Sequence, residues 1–285
     1  MTAAAMSPLP AIEARFLGDL MPQLVALRHA IHRRPDLSGH EAPTARRLLD
    51  FLMPFQPEGI IEKLGGHGLA VVFSASQPGP TTIFTSELDA LPITDQGQVS
   101  HRSRVPGVGH LCGHDGHMVA AAGLGPLLAR RRPRKGQVML LFRPQEETGR
   151  GAPAVAADPR LVEMAPNYIF GFHTIPGYPL GAVLYRHGLF AWAATDYVVE
   201  LVGKSAHGGQ PGAGRSPAMA LAKIIERFDN LSSWSDLDPQ AYASQAAYAR
   251  LGESDHGTTP GIARMRATLR SHSDEGLQRL CDHTA

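Results

Sequence analysis

Gln137-Val-Met-Leu-Leu-Phe142 is a short, mainly apolar run that ends abruptly in the polar stretch Arg143-Pro-Gln-Glu-Glu-Thr-Gly149. The run is too short for a helix and shows no polar alternation, so it reads as a strand with two apolar faces to bury. Strands of that kind sit inside mostly parallel sheets covered by helices on both sides. The flanking segments agree. Leu69 to Phe73 and Thr81 to Thr85 read as strands divided by the turn signal Gly79-Pro80, and Tyr168 to Phe172 and Ala182 to Tyr185 are further strands. Leu20, Leu24, Leu27 and Ile31 recur at helical spacing, which predicts a helix over 11–34 stopped by Pro35. A second helix is expected over 42–53, with Leu48, Leu49 and Leu52 buried, and a third over 115–131 with Asp115 as its cap. Strands alternating with helices predict an α/β layered unit.

The pattern changes after about residue 190. A strand at Tyr197 to Val202, a helix over 216–230, strands over 241–251 and 262–270 and a helix from 274 follow in order. That β-α-β-β-α series is one strand short of a split βαβ sandwich. The expected domains are therefore 1–190, α/β, and 191–285, an α+β ferredoxin-like unit without its last strand.

Composition narrows the function. The 285 residues carry 27 Lys and Arg against 26 Asp and Glu, a formal charge of +1, which argues against a nucleic-acid partner held by net positive charge. The apolar share of 43% supports a sizeable core. Two cysteines, Cys112 and Cys281, make no disulfide scaffold and fit a reducing compartment. No apolar run approaches a membrane span, and Met1 to Phe16 shows no signal-peptide pattern. The expected location is cytoplasmic, with no membrane partner.

The chemistry concentrates in four motifs. His110-Leu-Cys-Gly-His-Asp-Gly-His117 packs three His, one Cys and one Asp into eight residues, where an even spread of the 14 His would place fewer than one. Imidazole and thiolate are the preferred donors for zinc-like metals, and two glycines let the backbone fold tightly. A buried cysteine beside helix-capping histidines is the plainer alternative. Glu146-Glu147 follows the buried strand, so one carboxylate can bind a metal while its neighbour serves as general base; alone the motif is weak, since an acidic helix start or a solvated loop is the usual fate of a Glu pair. His173 closes an apolar strand at the edge where α/β sheets hold ligands, although a hydrogen-bonded core histidine reads as well there. Glu87-Leu-Asp89-Ala-Leu-Pro places two carboxylates after a strand, and Asp89 is suited to orient a ligand imidazole through its second nitrogen. Pro92 makes a plain turn the alternative. His-Glu-x-x-His, Gly-x-Ser-x-Gly, the P-loop and Gly-x-Gly-x-x-Gly are all missing from the sequence, which removes support for the common serine hydrolase, NTPase and Rossmann readings.

Taken in order, these blocks resemble the dinuclear-metal amidohydrolases that include hippurate hydrolases, N-acyl-amino-acid amidohydrolases and auxin-conjugate hydrolases, a family related to aminoacylases and carboxypeptidases. The resemblance runs from Leu27 to Arg270 and includes Arg28-His-Ala-Ile-His-Arg-Arg-Pro-Asp-Leu-Ser, Phe142-Arg-Pro-Gln-Glu-Glu and Gly203-Lys-Ser-Ala-His-Gly-Gly-Gln-Pro. It implies a zinc-peptidase-like catalytic domain with a lid and dimerisation domain. It implies two divalent metal ions, Zn²⁺, Mn²⁺ or Co²⁺, with Cys112 bridging and His114, Glu147 and His173 as further ligands. Glu146 would be the general base, Asp89 the carboxylate behind the ligands and His207 the lid histidine that stabilises the oxyanion, often in the partner subunit of a homodimer. The implied reaction is hydrolysis of the amide bond of an N-acyl amino acid. A dipeptidase and a non-catalytic metal-binding chain are the alternatives.

The sequence departs from the family in places. Glu87-Leu-Asp89 replaces the usual Asp-Met-Asp, and Pro211-Gly212 replaces Pro-His. The family pattern also returns from the lid to the catalytic domain and adds one more ligand histidine. The chain reads as ending inside the lid's second helix, with His283 at the wrong place for that ligand.

Overall fold

A computed structural model describes residues 2–4, 11–189, 191–230, 241–254 and 257–284. The contacts divide the chain into two units, residues 7–180 and residues 1–6 with 181–285. The boundary expected near 190 falls at a residue outside the described set.

The chain opens with β1 (Thr2–Ala4), part of the second unit. The first unit contains α1 (Ala11–Arg33), α2 (Ala42–Leu52), β2 (Gly59–Leu64), β3 (Gly68–Ser74), β4 (Thr81–Glu87), α3 (His114–Ala122), α4 (Leu124–Arg130), β5 (Gln137–Arg143), α5 (Gly151–Ala156), α6 (Pro159–Glu163) and β6 (Tyr168–Gly171). Its five-stranded sheet has the order β2-β3-β5-β4-β6. The run at Gln137–Phe142 is β5, in the middle of the sheet as its two apolar faces demand. Leu69, Val71 and Phe73 of β3 join Leu140 and Phe142 of β5 on one face, under α1, α2 and α3. Ala70, Val72, Met139 and Leu141 point to the opposite face, where Val155 of α5 and Leu161 of α6 cover them. Burying both faces is what excludes alternation from the sequence.

The sheet is mixed rather than mostly parallel. β5 pairs parallel with β4, and β4 with β6, but β2 with β3 and β3 with β5 are antiparallel. For the β2–β3 pair the reason is local: β2, which the periodicity did not reveal, returns to β3 through Gly65-Gly66-His67, too few residues for a parallel crossover. The helix expected over 115–131 is two helices divided at Gly123, and Asp115 is not its cap. Gly113 fills that position in a left-handed conformation (φ 89°), while the Asp115 side chain turns to α1. β7 (Val183–Tyr185) pairs with β1 and lies outside the central sheet.

The second unit continues with β8 (Ala193–Val202), β9 (Ala206–His207), α7 (Ala218–Asp229), β10 (Tyr242–Leu251), β11 (Thr258–Thr259), β12 (Ile262–Ser271) and α8 (Asp274–Thr284). The expected β-α-β-β-α order appears as β8, α7, β10, β12 and α8. The three long strands form an antiparallel sheet with β12 between β10 and β8. β12 alternates strictly: Ala263, Met265, Ala267 and Leu269 pack with Leu221 and Phe228 of α7 and Leu280 of α8, while Arg264, Arg266 and Arg270 face away. β9 and β11 form a separate two-stranded pair.

Candidate metal centre

Three parallel strands bring their carboxyl ends to one edge of the central sheet. The chain leaves β4 into Leu88-Asp89, β5 into Pro144-Gln-Glu-Glu147 and β6 into Phe172-His-Thr174. α3 begins beside them with His114, preceded by Cys112 and Gly113. A Cβ on Gly113 would lie 2.9 Å from Thr174 Oγ1, so the loop closes this tightly only with glycine.

Two imidazoles are oriented by carbonyl groups. His114 Nδ1 lies 2.8 Å from the Asp89 carbonyl oxygen, and His173 Nδ1 lies 2.8 Å from that of Thr174. A carbonyl only accepts, so each Nδ1 carries the hydrogen and each Nε2 keeps its lone pair. His173 Nε2 sits 3.2 Å from Cys112 Sγ. His114 Nε2 is buried without a hydrogen-bond partner, and so is Glu147 Oε1. These two atoms are 3.8 Å apart, and Glu146 Oε2 is 3.7 Å from the same nitrogen.

Among the described residues, three groups have possible ligand atoms all within 4.8 Å of one another: Cys112 with His114 and His173, His114 with Glu146 and Glu147, and Glu87 with His114 and His117. His114 belongs to all three. The third group is already paired within the protein. His117 Nε2 accepts the Thr174 N–H at 3.0 Å, so its Nδ1 donates to Glu87 Oε2 at 3.2 Å. The Arg143 guanidinium reaches the other Glu87 oxygen at 2.7 Å. Burial would raise Glu87, but His117 and Arg143 hold it below the usual carboxylate range. The first two groups share a buried acceptor without a hydrogen-bond partner, His114 Nε2, and the second adds Glu147 Oε1 facing it.

The electrostatics point the same way. Burial, then the charges of Glu147 and Glu146, push the Cys112 thiol up to about 12. Burial also raises Glu147; His114 opposes the rise, and Glu146 and Asp89 add to it. Among protein groups alone, each negative charge makes the next one harder to form. A divalent cation placed among them reverses every one of those signs, so the donor set fits a metal.

Asp89, fully buried, acts through two different parts. Its backbone carbonyl orients His114, whereas its carboxylate is 3.9 Å from that ring nitrogen, too far for a hydrogen bond. The carboxylate instead accepts the N–H groups of Glu146 and Glu147, at 3.1 and 2.9 Å, and the Ser38 hydroxyl at 2.6 Å. Sequence reasoning also missed the support for α3. Arg28 and His32 of α1 both reach Asp115 Oδ2, each at 2.9 Å. The available signal was two basic residues four apart on a helix with an apolar stripe. His110, in the same block, is buried and belongs to none of the three groups; burial pushes it down to about 4, so it is neutral. His207 lies on the other unit, in β9 opposite Thr258, where its Nδ1 accepts the Gly209 N–H at 3.1 Å.

The chain is similar to known proteins over most of its length. The model of Peptidase family M20/M25/M40 matches residues 83–274, more than half of the chain. An N-acetyldiaminopimelate deacetylase of Priestia megaterium is 28% identical over 262 residues, which cover 90% of this chain and 68% of that protein. The Bacillus subtilis YXEP protein, described as a dinuclear metal binding peptidase from the M20 family, is 27% identical with a TM-score of 0.67, covering 94% of this chain and 68% of its own. The aminobenzoyl-glutamate utilization protein of Klebsiella pneumoniae shares the fold at 21% identity and a TM-score of 0.76, covering 95% and 72%. Among the described residues no helix is long and apolar enough to cross a membrane. With its α/β unit, its antiparallel second sheet and a family match that spans both, the chain belongs to peptidase family M20/M25/M40, and it is a hydrolase.

Proposed function

We propose that this hydrolase cleaves the amide bond of N-acyl amino acids, with two divalent metal ions held by Cys112, His114, Glu147 and His173. The observation that carries the reading is the facing pair of buried, unpartnered acceptors, His114 Nε2 and Glu147 Oε1, next to the thiol and imidazole of Cys112 and His173. A thiolate among imidazoles and carboxylates favours Zn²⁺, Mn²⁺ or Co²⁺ over Mg²⁺ or Ca²⁺. Bound there, the ions supply Lewis acidity toward a carbonyl and a water.

The protein's own groups do the rest. The carbonyls of Asp89 and Thr174 hold the two imidazoles in the tautomer that presents Nε2. Glu146, more exposed than Glu147, takes the proton of the attacking water and returns it to the leaving amine. His207 is assigned the developing oxyanion, in a homodimer built through the second unit. The deacetylase relative supports N-acetyl amino acids as the first substrate class to test.

The test is release of free amino acid from N-acetyl and N-benzoyl amino acids by purified protein with Mn²⁺, Zn²⁺ or Co²⁺. Release that stops on chelation supports the reading. Chelator-sensitive cleavage of dipeptides alone would make the protein a dipeptidase, and metal binding with no cleavage of either would leave a non-catalytic metal-binding chain.

A further inference from the structure

Three consecutive backbone N–H groups after β5 are taken up by two buried acids from distant parts of the chain. Gln145 N–H donates to Glu41 Oε1 at 2.8 Å, while the N–H groups of Glu146 and Glu147 donate to Asp89. Glu41 and Asp89 are both 0% exposed. A left-handed residue beside right-handed ones turns successive N–H groups toward acidic acceptors in this way. Gln145 is that residue, with φ at 53°. The conformation is disfavoured for any residue with a Cβ and persists only where its surroundings hold it.

Glu41 is not occupied with its own helix. It stands at the N-cap of α2, yet its side chain makes no capping hydrogen bond there. Asp36 takes the Thr44 N–H at 3.0 Å instead, and Pro43 has no N–H to satisfy. The Glu41 carboxylate is therefore free for the Gln145 turn, together with the Gly39 N–H at 2.9 Å on the same oxygen. Its other oxygen is buried and unpartnered, so one oxygen carries the whole interaction.

We propose that Glu41 is a positioning residue, which clamps the Gln145 N–H so that the turn presents Glu146 and Glu147 to His114. The proposal rests on the reading of those two acids given above. Without the clamp, Gln145 relaxes toward negative φ, and the carboxylates swing away from the His114 nitrogen.

The test is a Co²⁺ titration of the purified chain, followed by the thiolate-to-cobalt absorption of Cys112. Glu41→Ala is expected to weaken Co²⁺ binding about ten- to a hundredfold, whereas Glu41→Gln, which keeps an acceptor oxygen, stays within about threefold of wild type. Adding Gln145→Gly to Glu41→Ala is expected to recover most of the loss, because glycine adopts the positive φ freely. That recovery separates positioning from a general effect on the fold. If Glu41→Ala does not fold, Glu41→Asp, whose carboxylate is drawn back by one methylene, is expected to lose Co²⁺ affinity in its place. Wild-type affinity in Glu41→Ala overturns the proposal, as does a Glu41→Gln as weak as Glu41→Ala, or a glycine variant that recovers nothing. Glu147→Ala serves as the control. Unchanged Co²⁺ affinity in that variant overturns the metal reading itself, and a loss there with none in Glu41→Ala overturns only the positioning role.

Discussion

His114 Nε2 and Glu147 Oε1 face each other across 3.8 Å, and neither has a hydrogen-bond partner. A buried polar atom left unsatisfied costs about 1–3 kcal/mol. A divalent cation held by these two side chains would give both atoms the partner they lack. Glu146 approaches the same nitrogen but is more exposed, with 43% of its side chain accessible against 17% for Glu147. Burial thus distinguishes two residues that are identical in chemistry and adjacent in sequence.

The two acids should separate on mutation. Glu147→Ala is expected to lower the metal content of the purified protein. Glu146→Gln should leave metal content near wild type and reduce kcat by about 10²–10⁴. Elemental analysis beside turnover checks both, and the opposite pattern would exchange the roles.

His117 belongs to the histidine-rich block, but both of its ring nitrogens are used within the protein. His117→Ala should keep the metal while losing about 1–3 kcal/mol of stability, since Glu87 and the Thr174 N–H each lose a partner. Denaturant unfolding beside metal analysis checks this. Loss of metal without loss of stability would make His117 a ligand.

His32 makes stability depend on pH. Its hydrogen bond to Asp115 raises it above its ordinary 6.5, against burial, and Asp95 adds to the rise. A raised folded-state value means the stabilisation is complete below about 6.5 and is lost as pH rises through the folded value. Asp115 moves the other way, held at about 2 against burial by His32, His110 and Arg28, so its contribution is present above its ordinary 3.8 and is lost as pH falls through about 2. The stability gap between wild type and His32→Ala should be about 1–3 kcal/mol near pH 5.5 and smaller near pH 8.5. Urea unfolding at both pH values measures it, and an equal gap at the two would refute the assignment.

Gly151 closes the turn that carries the two acids. A Cβ there would lie 1.6 Å from the Pro144 carbonyl oxygen, which is backbone and cannot rotate away. Gly151→Ala should therefore displace Pro144-Gln145, costing more than about 2 kcal/mol of stability and at least tenfold in metal affinity. Thermal unfolding and a Co²⁺ titration check both, and wild-type values in either would show that the turn adapts.

Much of the architecture was legible because its signals are local. β12 declares its buried face by strict alternation, and β5 its central place by having no alternation. β2 was not legible: its burial is irregular, and its pairing depends on a hairpin return. β6 reads as an apolar strand, yet Tyr168, Ile169 and Phe170 are exposed at the edge of the described sheet. A short apolar run says that a strand forms, not which neighbours it has.

The sequence by itself determined which donor atoms are available and in what order they arrive: a thiol and imidazoles at one helix start, two acids after one strand and an imidazole after another. Those are properties of residue type and near spacing. Only the tertiary structure decided which nitrogen of His114 and His173 carries the hydrogen, that Asp89 orients a ring through its carbonyl while its carboxylate holds the Glu146-Glu147 turn, and that Glu41 grips Gln145. Each of these depends on hydrogen-bond geometry that sequence does not encode at short range, and the Glu41 contact joins residues 104 positions apart. Such contacts arise when the packed sheet and helices bring separate segments together, because a buried polar group must find its partner wherever the fold has placed one.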